Sequence, residues 1–279
     1  MSSTAWAVTF FTVLGFFALR TTVLVGGATL AVRRASAVAR RVYRVAVATG
    51  QARSELLAAL RVIGFDAVVV ATAFTLGAWR FAEPSAAATA VTWLVMFAWY
   101  EVWFYATHRA LHTKALYRFH AQHHVAKVTT PLTSLSFGLV ERGVLLVGAV
   151  GMSALLSRVL PITKVGVVAY FLTNFVLNVW GHSNVEVLPA GFVRSWAGRV
   201  FISTSFHAMH HARYQGHYGL FTQVLDRLFG TYWVDYPEVH AHAARGEGLT
   251  RLCARVDSAA ESRPPAIVSP EEPLRLEEH

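Results

Sequence analysis

Five apolar stretches of near membrane-span length fall within the first 181 residues, at 5–32, 62–79, 86–107, 143–160 and 165–181. A helix needs about 20 mostly apolar residues to cross a bilayer. One such stretch alone reads as a buried core helix; five in succession predict a helical membrane bundle. Only 15% of the 279 residues are charged, against about 25% in an ordinary soluble domain. That argues against both a soluble enzyme and a disordered chain. Apart from Arg20 the first stretch is uninterrupted. With no basic residue ahead of its apolar core, it is expected to be a retained helix and not a secretory signal peptide.

The net charge of +9 is unevenly placed. Arg33, Arg34, Arg40, Arg41, Arg44, Arg53 and Arg61 lie between the first two stretches, opposed by Glu55 alone. A basic segment beside apolar spans fits a cytoplasmic loop under the positive-inside rule. No nucleic-acid fold signature accompanies it, so a nucleic-acid partner is not expected. With residues 33–61 on the cytoplasmic side, the second and third stretches form one hairpin and the fourth and fifth another. Segments 108–124 and 182–217 then share the cytoplasmic side.

Nine of the thirteen histidines occupy four places on those segments. His108 and His112 form H-x3-H. His120, His123 and His124 form H-x2-H-H. His182 stands before Ser183 and Asn184. His207, His210 and His211 form a second H-x2-H-H. On a helix, positions i, i+3 and i+4 share a face, so each box aims imidazoles at one point. Solvated histidines have no reason to repeat this spacing, and metal binding follows. Nine imidazoles exceed the ligands of one ion and point to two. Imidazole suits zinc, copper, iron and nickel alike, so the ligand type leaves the metal open. The single cysteine, Cys253, excludes a disulfide framework and a four-cysteine cluster.

These boxes bring a family with them. Glu101-Val-Trp-Phe-Tyr-Ala-Thr-His108-Arg-Ala-Leu-His112, Leu116-Tyr-Arg-Phe-His120-Ala-Gln-His123-His124, Phe206-His207-Ala-Met-His210-His211 and Asp226-Arg-Leu-Phe-Gly-Thr-Tyr232 together resemble the fatty acid hydroxylase/sterol desaturase superfamily of integral-membrane di-iron oxygenases. The resemblance covers about half the chain. Gly138 and Leu139 stand where many members have a histidine–proline pair, His217 where an asparagine is usual, and Leu225 where a tryptophan is usual. The resemblance implies two non-haem iron ions held by His108, His112, His120, His123, His124, His182, His207, His210 and His211, with zinc able to take their place in a purified sample. It also implies dioxygen as oxidant, an apolar lipid substrate, sterol-like or fatty acyl, and a separate electron donor of ferredoxin or cytochrome type with its reductase. The expected activity is hydroxylation or desaturation of a C–H bond. A membrane metal or haem carrier and a zinc-dependent lipid hydrolase are the alternatives.

The expected fold class is all-α: an integral membrane bundle of about four to five apolar helices in hairpins, with a cytoplasmic helical cap carrying the histidine-rich dimetal site. Three parts are expected: a transmembrane helix with its basic loop at 1–61, a membrane-embedded catalytic part at 62–249, and a polar tail rich in Pro and Glu at 250–279. The preponderance of arginine over lysine fits a bacterial inner membrane.

Several residues beside the boxes invite a role. Glu101 lies seven before His108 and eleven before His112, within about 20° of both on a helix. It can accept a ring N–H and fix the tautomer of a ligand, or pair with Arg109. Glu186 can bind metal, orient His182 or cap a turn before Pro189, and His217 is a candidate tenth ligand. Asp66 is expected to make a polar helix contact. Asp226 and Arg227 are expected to pair within the cap, and His240, His242 and His279 to be solvated.

Overall fold

A computed structural model describes residues 3–256. His279 and the expected tail from 257 onward lie outside the described residues. Five long helices form the body: α1 (Ser3–Ala31), α2 (Gln51–Thr75), α3 (Ala86–Leu111), α4 (Leu139–Leu156) and α5 (Lys164–Gly181). Among the described residues there are isolated β-bridges but no strand.

The first four helices are long and apolar enough to cross a membrane. Their outer faces match that medium. Phe11, Leu19, Leu30, Leu60 and Leu94 are each more than half exposed, and so continuous an apolar surface needs lipid around it. The fifth stretch does not join the set of four, which lies within the expected four to five. α5 carries Lys164, Asn174 and Asn178, and the two asparagines are spent inside the bundle on the Tyr170 hydroxyl and the Ser134 carbonyl.

Helix α2 begins at Gln51, not at 62 as the hydropathy suggested, so Arg53 and Arg61 are helical. Its first turns are polar, yet Gln51 and Glu55 are held inside the protein. Buried Glu55 accepts hydrogen bonds from Gln51, Thr130 and Thr133. Asp66, further along, receives both arms of the Arg142 guanidinium from α4, at 2.8 and 2.6 Å, which is the polar helix contact expected of it. Within α4, residues Val147–Gly151 form a π-helical stretch. Such a stretch shifts the backbone ladder, and the Trp103 and Trp99 indoles donate to the carbonyls of Val144 and Gly148 there.

A small cap closes one end of the bundle. It contains α6 (Thr204–Arg213), α7 (Val224–Leu228) and α8 (Tyr236–Arg245). Its core joins Phe206, Met209 and Ala212 of α6 to Tyr236 and Val239 of α8, and to Val42 and Tyr43 from the segment after α1. A separate core of Val62, Met96, Tyr100, Phe104, Tyr170 and Phe175 fills the bundle.

Candidate metal centre

The nine box histidines come from four places and are all buried. His108 lies in the last turn of α3 and His112 caps it. His120 closes a short helical turn, and His123 and His124 open the 3₁₀ turn that follows. His182 caps α5. His207, His210 and His211 lie on α6, whose opposite face supplies the cap core. They form two groups: His108, His112, His120, His124 and His210 in one, His123, His182, His207 and His211 in the other. Within each group the candidate ligand atoms lie within 4.8 Å of one another. The groups adjoin, with the rings of His124 and His211 4.6 Å apart.

The hydrogen bonds show why these rings suit metal ions. The Nδ1 atoms of His108, His182, His210 and His211 lie 2.8–2.9 Å from the carbonyls of Tyr218, Asn178, Gly216 and Ala126. His123 reaches the Ser136 carbonyl at 3.3 Å, and His120 reaches the Glu141 carboxylate at 2.6 Å. Those oxygens accept, so the ring proton sits on Nδ1 and Nε2 presents a bare lone pair. The Nε2 atoms of His123, His182 and His211 nevertheless crowd together, His123 lying 3.4 Å from His182 and 3.1 Å from His211. No proton lies between them, and bare lone pairs so close repel one another unless a cation sits among them. Nitrogens bound at about 2.1 Å to one ion lie about 3.0–3.4 Å apart, which matches. The buried Nε2 atoms of His108 and His120 have no protein partner at all. The residues therefore fit two metal ions.

Electrostatics agrees. Burial, and then the neighbouring imidazoles, push His120, His123, His124, His207 and His210 well below the ordinary histidine range. Burial takes His182 down to about 4. All are neutral at pH 7, which is the ligating form.

The supporting residues differ from those expected. Among the described residues Glu101 hydrogen-bonds no histidine and does not pair with Arg109. Its carboxylate accepts from the backbone N–H groups of Phe221 and Thr222 and from the Thr222 hydroxyl. It thus acts at one remove, fixing the loop whose Tyr218 carbonyl holds His108. Asp226 holds the same loop by accepting from the Tyr218 and Gly219 N–H groups at 2.7 Å each. The Arg227 guanidinium lies over Tyr232, so the expected Asp226–Arg227 pair gives way to these contacts. Glu186 does not reach His182 or either group. It accepts from the backbone N–H and hydroxyl of Ser205 at the start of α6, and from the Leu188 N–H, which is the expected turn cap. His240 is fully buried beside Glu186 and bonds the Pro189 carbonyl, where solvation was expected; His242 is half-exposed.

His217 lies outside both groups. Its Nδ1–H donates to the Phe206 carbonyl, and its Nε2 accepts from the Trp233 N–H. Both nitrogens are used, so no lone pair is left for a metal. Sequence reading missed Glu141, which among the described residues is the one carboxylate that bonds a box histidine directly. Its signal was an acidic residue at the start of an apolar stretch.

Fold and site define the class: a helical membrane protein with two adjoining groups of buried histidines suited to hold metal. Residues 93–231 match the fatty acid hydroxylase family model, and the chain belongs to that family, within the fatty acid hydroxylase/sterol desaturase superfamily. It is similar to very-long-chain aldehyde decarbonylase GL1-4 of Oryza sativa subsp. indica, 30% identical over 166 residues, which is 56% of this chain and 26% of that protein. It is also similar to protein CER1-like 1 of Arabidopsis thaliana, 34% identical over 136 residues, 47% of this chain and 21% of that one. The chain therefore spans about a quarter of the length of these relatives. No solved structure matches it.

Proposed function

We propose that the chain is an integral-membrane di-iron oxygenase. It uses dioxygen, and electrons from a ferredoxin- or cytochrome-type donor with its reductase, to hydroxylate or desaturate a C–H bond of an apolar lipid. The carrying observation is the pair of adjoining buried histidine groups with bare Nε2 atoms turned inward. His108, His112, His120, His124 and His210 would hold one ion, and His123, His182, His207 and His211 the other. Bound iron supplies the activation of dioxygen for attack on an unactivated C–H bond. The chain supplies neutral donors, six of them with the tautomer fixed through Nδ1, and a site closed to water by the cap, where polar interactions are strengthened.

A cavity of about 510 Å³ lies in the bundle, within the size range of small-molecule sites, about 300–1,000 Å³. Phe16, Phe17, Phe74, Val150 and Val168 are among its apolar walls. Its near end, at Ser134 and Asn178, adjoins the centre, because the Asn178 carbonyl is the one that holds His182. One relative, GL1-4, is named as a very-long-chain aldehyde decarbonylase, which favours a long single-chain lipid over a sterol. The arginines between α1 and α2 support a cytoplasmic position for the histidines, in a bacterial inner membrane.

The test is to purify the protein with its metals and supply lipid, oxygen and a reductant. We expect two irons per chain, no haem absorption band, and product only when both oxygen and reductant are present. His123→Ala should abolish turnover, and a strain lacking the protein should accumulate the same lipid precursor as a His123→Ala strain. Turnover without oxygen, or an unchanged lipid profile in both strains, would overturn the proposal.

A further inference from the structure

The cavity is not uniformly apolar. Arg20 of α1, Asp66 of α2 and Arg142 of α4 all line it. Asp66 is already engaged by both arms of Arg142. Arg20 is left over. Its guanidinium lies over the rings of Phe175 and Phe17, at 3.7 and 4.8 Å from their centroids. Its Nε is buried with no hydrogen-bond partner. Among the described residues no carboxylate lies within ion-pair distance of it. Two arginines and one aspartate leave one positive charge facing an apolar cavity. An unpaired cation inside a membrane protein is costly and marks a functional position, and cation–π contact offsets only part of that cost.

The leftover charge sits toward the histidine end. Phe175, beneath Arg20, precedes His182 by seven residues on α5, two turns along the same face, or about 10 Å. Arg142 follows Glu141, which bonds His120, and its guanidinium lies 5.8 Å from the centroid of Phe137. The Phe137 ring is in turn stacked on His123 at 4.6 Å. The other polar end of the cavity is Lys164 at the start of α5, which is exposed. A solvated ammonium gains little from a ligand, whereas a half-buried guanidinium whose Nε is already shielded from water gains a stronger charge-assisted hydrogen bond.

From this placement we infer that Arg20 binds the oxygenated end of a single-chain lipid, a carboxylate or an aldehyde carbonyl, so that the substrate lies head toward the metal centre and is oxidised close to its functional group. The inference rests on the proposed function for the oxidation, but the binding of the lipid head does not depend on turnover. Arg20 lies outside the family-matched residues 93–231, so the choice of substrate would be made by a helix that the match does not include.

The experiment separates binding from reaction. Displacement of a fluorescent fatty acid from the full-length protein in lipid nanodiscs is measured with hexadecanoic acid, hexadecanal and hexadecane as competitors. We expect the acid and the aldehyde to compete well and the alkane poorly. Arg20→Leu should weaken the acid about 10- to 100-fold, the scale of one hydrogen bond to a charged group, and leave the alkane unaffected. Arg20→Lys should restore part of the loss, which a folding defect would not allow. The products of the metal-loaded protein should carry the change within a few carbons of the oxygenated end. Equal competition by all three probes, wild-type acid binding in Arg20→Leu, a larger loss in Lys164→Gln than in Arg20→Leu, or oxidation toward the methyl end would each overturn the inference. Arg20-dependent binding with no oxygen-dependent product would instead remove the proposed function and leave the head-binding site standing.

Discussion

His123 and His124 are neighbours in the chain yet belong to different groups, as do His210 and His211. Residues separated by four share a group: His108 with His112, His120 with His124, His207 with His211. The residue at i+3 in each H-x2-H-H box goes to the other group, so the two boxes tie the two centres together. The spacing made the set of converging histidines legible in the sequence. The partition was not, because it depends on where the short turn after α3 points the second box. The supporting carboxylates were least legible, since each grips backbone or rings brought near only by folding. Glu141 carries a prediction of its own. Replacing a carboxylate that holds a ligating histidine typically costs about 10–100-fold in metal affinity. Glu141→Gln should therefore lose metal from the five-histidine group first under chelator challenge, read as metal content per chain. Retention equal to wild type would contradict it. His217→Asn should behave oppositely. His217 sits at φ +58, a conformation asparagine tolerates, and its ring offers no free nitrogen. Metal content should be unchanged.

At the scale of elements, hydropathy located every long helix but misplaced polar helix ends. The start of α2 was hidden because Glu55 and Gln51 look like loop residues until Thr130 and Thr133 fold against them. The same holds at α6, whose first turn is secured by a residue outside it. Glu186 is fully buried. Its hydrogen bonds, chiefly from His240 and then from Ser203 and Ser205, outweigh the effect of burial and hold its carboxyl below the usual range, so it is ionised. Its removal would strand the Ser205 and Leu188 donors and the ring of His240. Glu186→Ala should destabilise the protein by about 3 kcal/mol, the sum of a few such losses, and Glu186→Gln by less. Thermal unfolding in nanodiscs measures both, and an unchanged Tm in Glu186→Ala would show that α6 does not depend on this cap. Because α6 carries one histidine of the first group and two of the second, the alanine variant should also bind both metals less well.

For the molecule as a whole, the membrane bundle and the cap converge on nine neutral imidazoles in a space that excludes water. The alternation of hairpins already placed all four histidine segments at one end in the sequence. The cavity could not be foreseen, since its walls come from five helices whose packing no periodicity specifies. So much buried imidazole has a consequence for stability. Unfolded histidines titrate near about 6.5. In the fold, burial first and neighbouring imidazoles second bring His112 to about 2, and burial brings His182 to about 4, with His120, His123, His124, His207, His210 and His211 also well below their ordinary value. As pH falls below about 6.5, the unfolded chain takes up protons that the folded one does not, so stability declines with falling pH. The contribution is fully present above that value and is lost progressively toward the folded values. The metal-free protein should hold a constant Tm between pH 8 and 7 and lose it steeply from about 6.5 to 5. Metal loading should move the whole decline to lower pH, because ions bind the folded site and compete with protons for the same nitrogens. Melting curves of both forms across that range test it. A metal-free profile flat down to pH 5 would mean that the rings are already protonated in the fold, and a loaded profile that coincides with the metal-free one would mean that these nitrogens do not hold the ions.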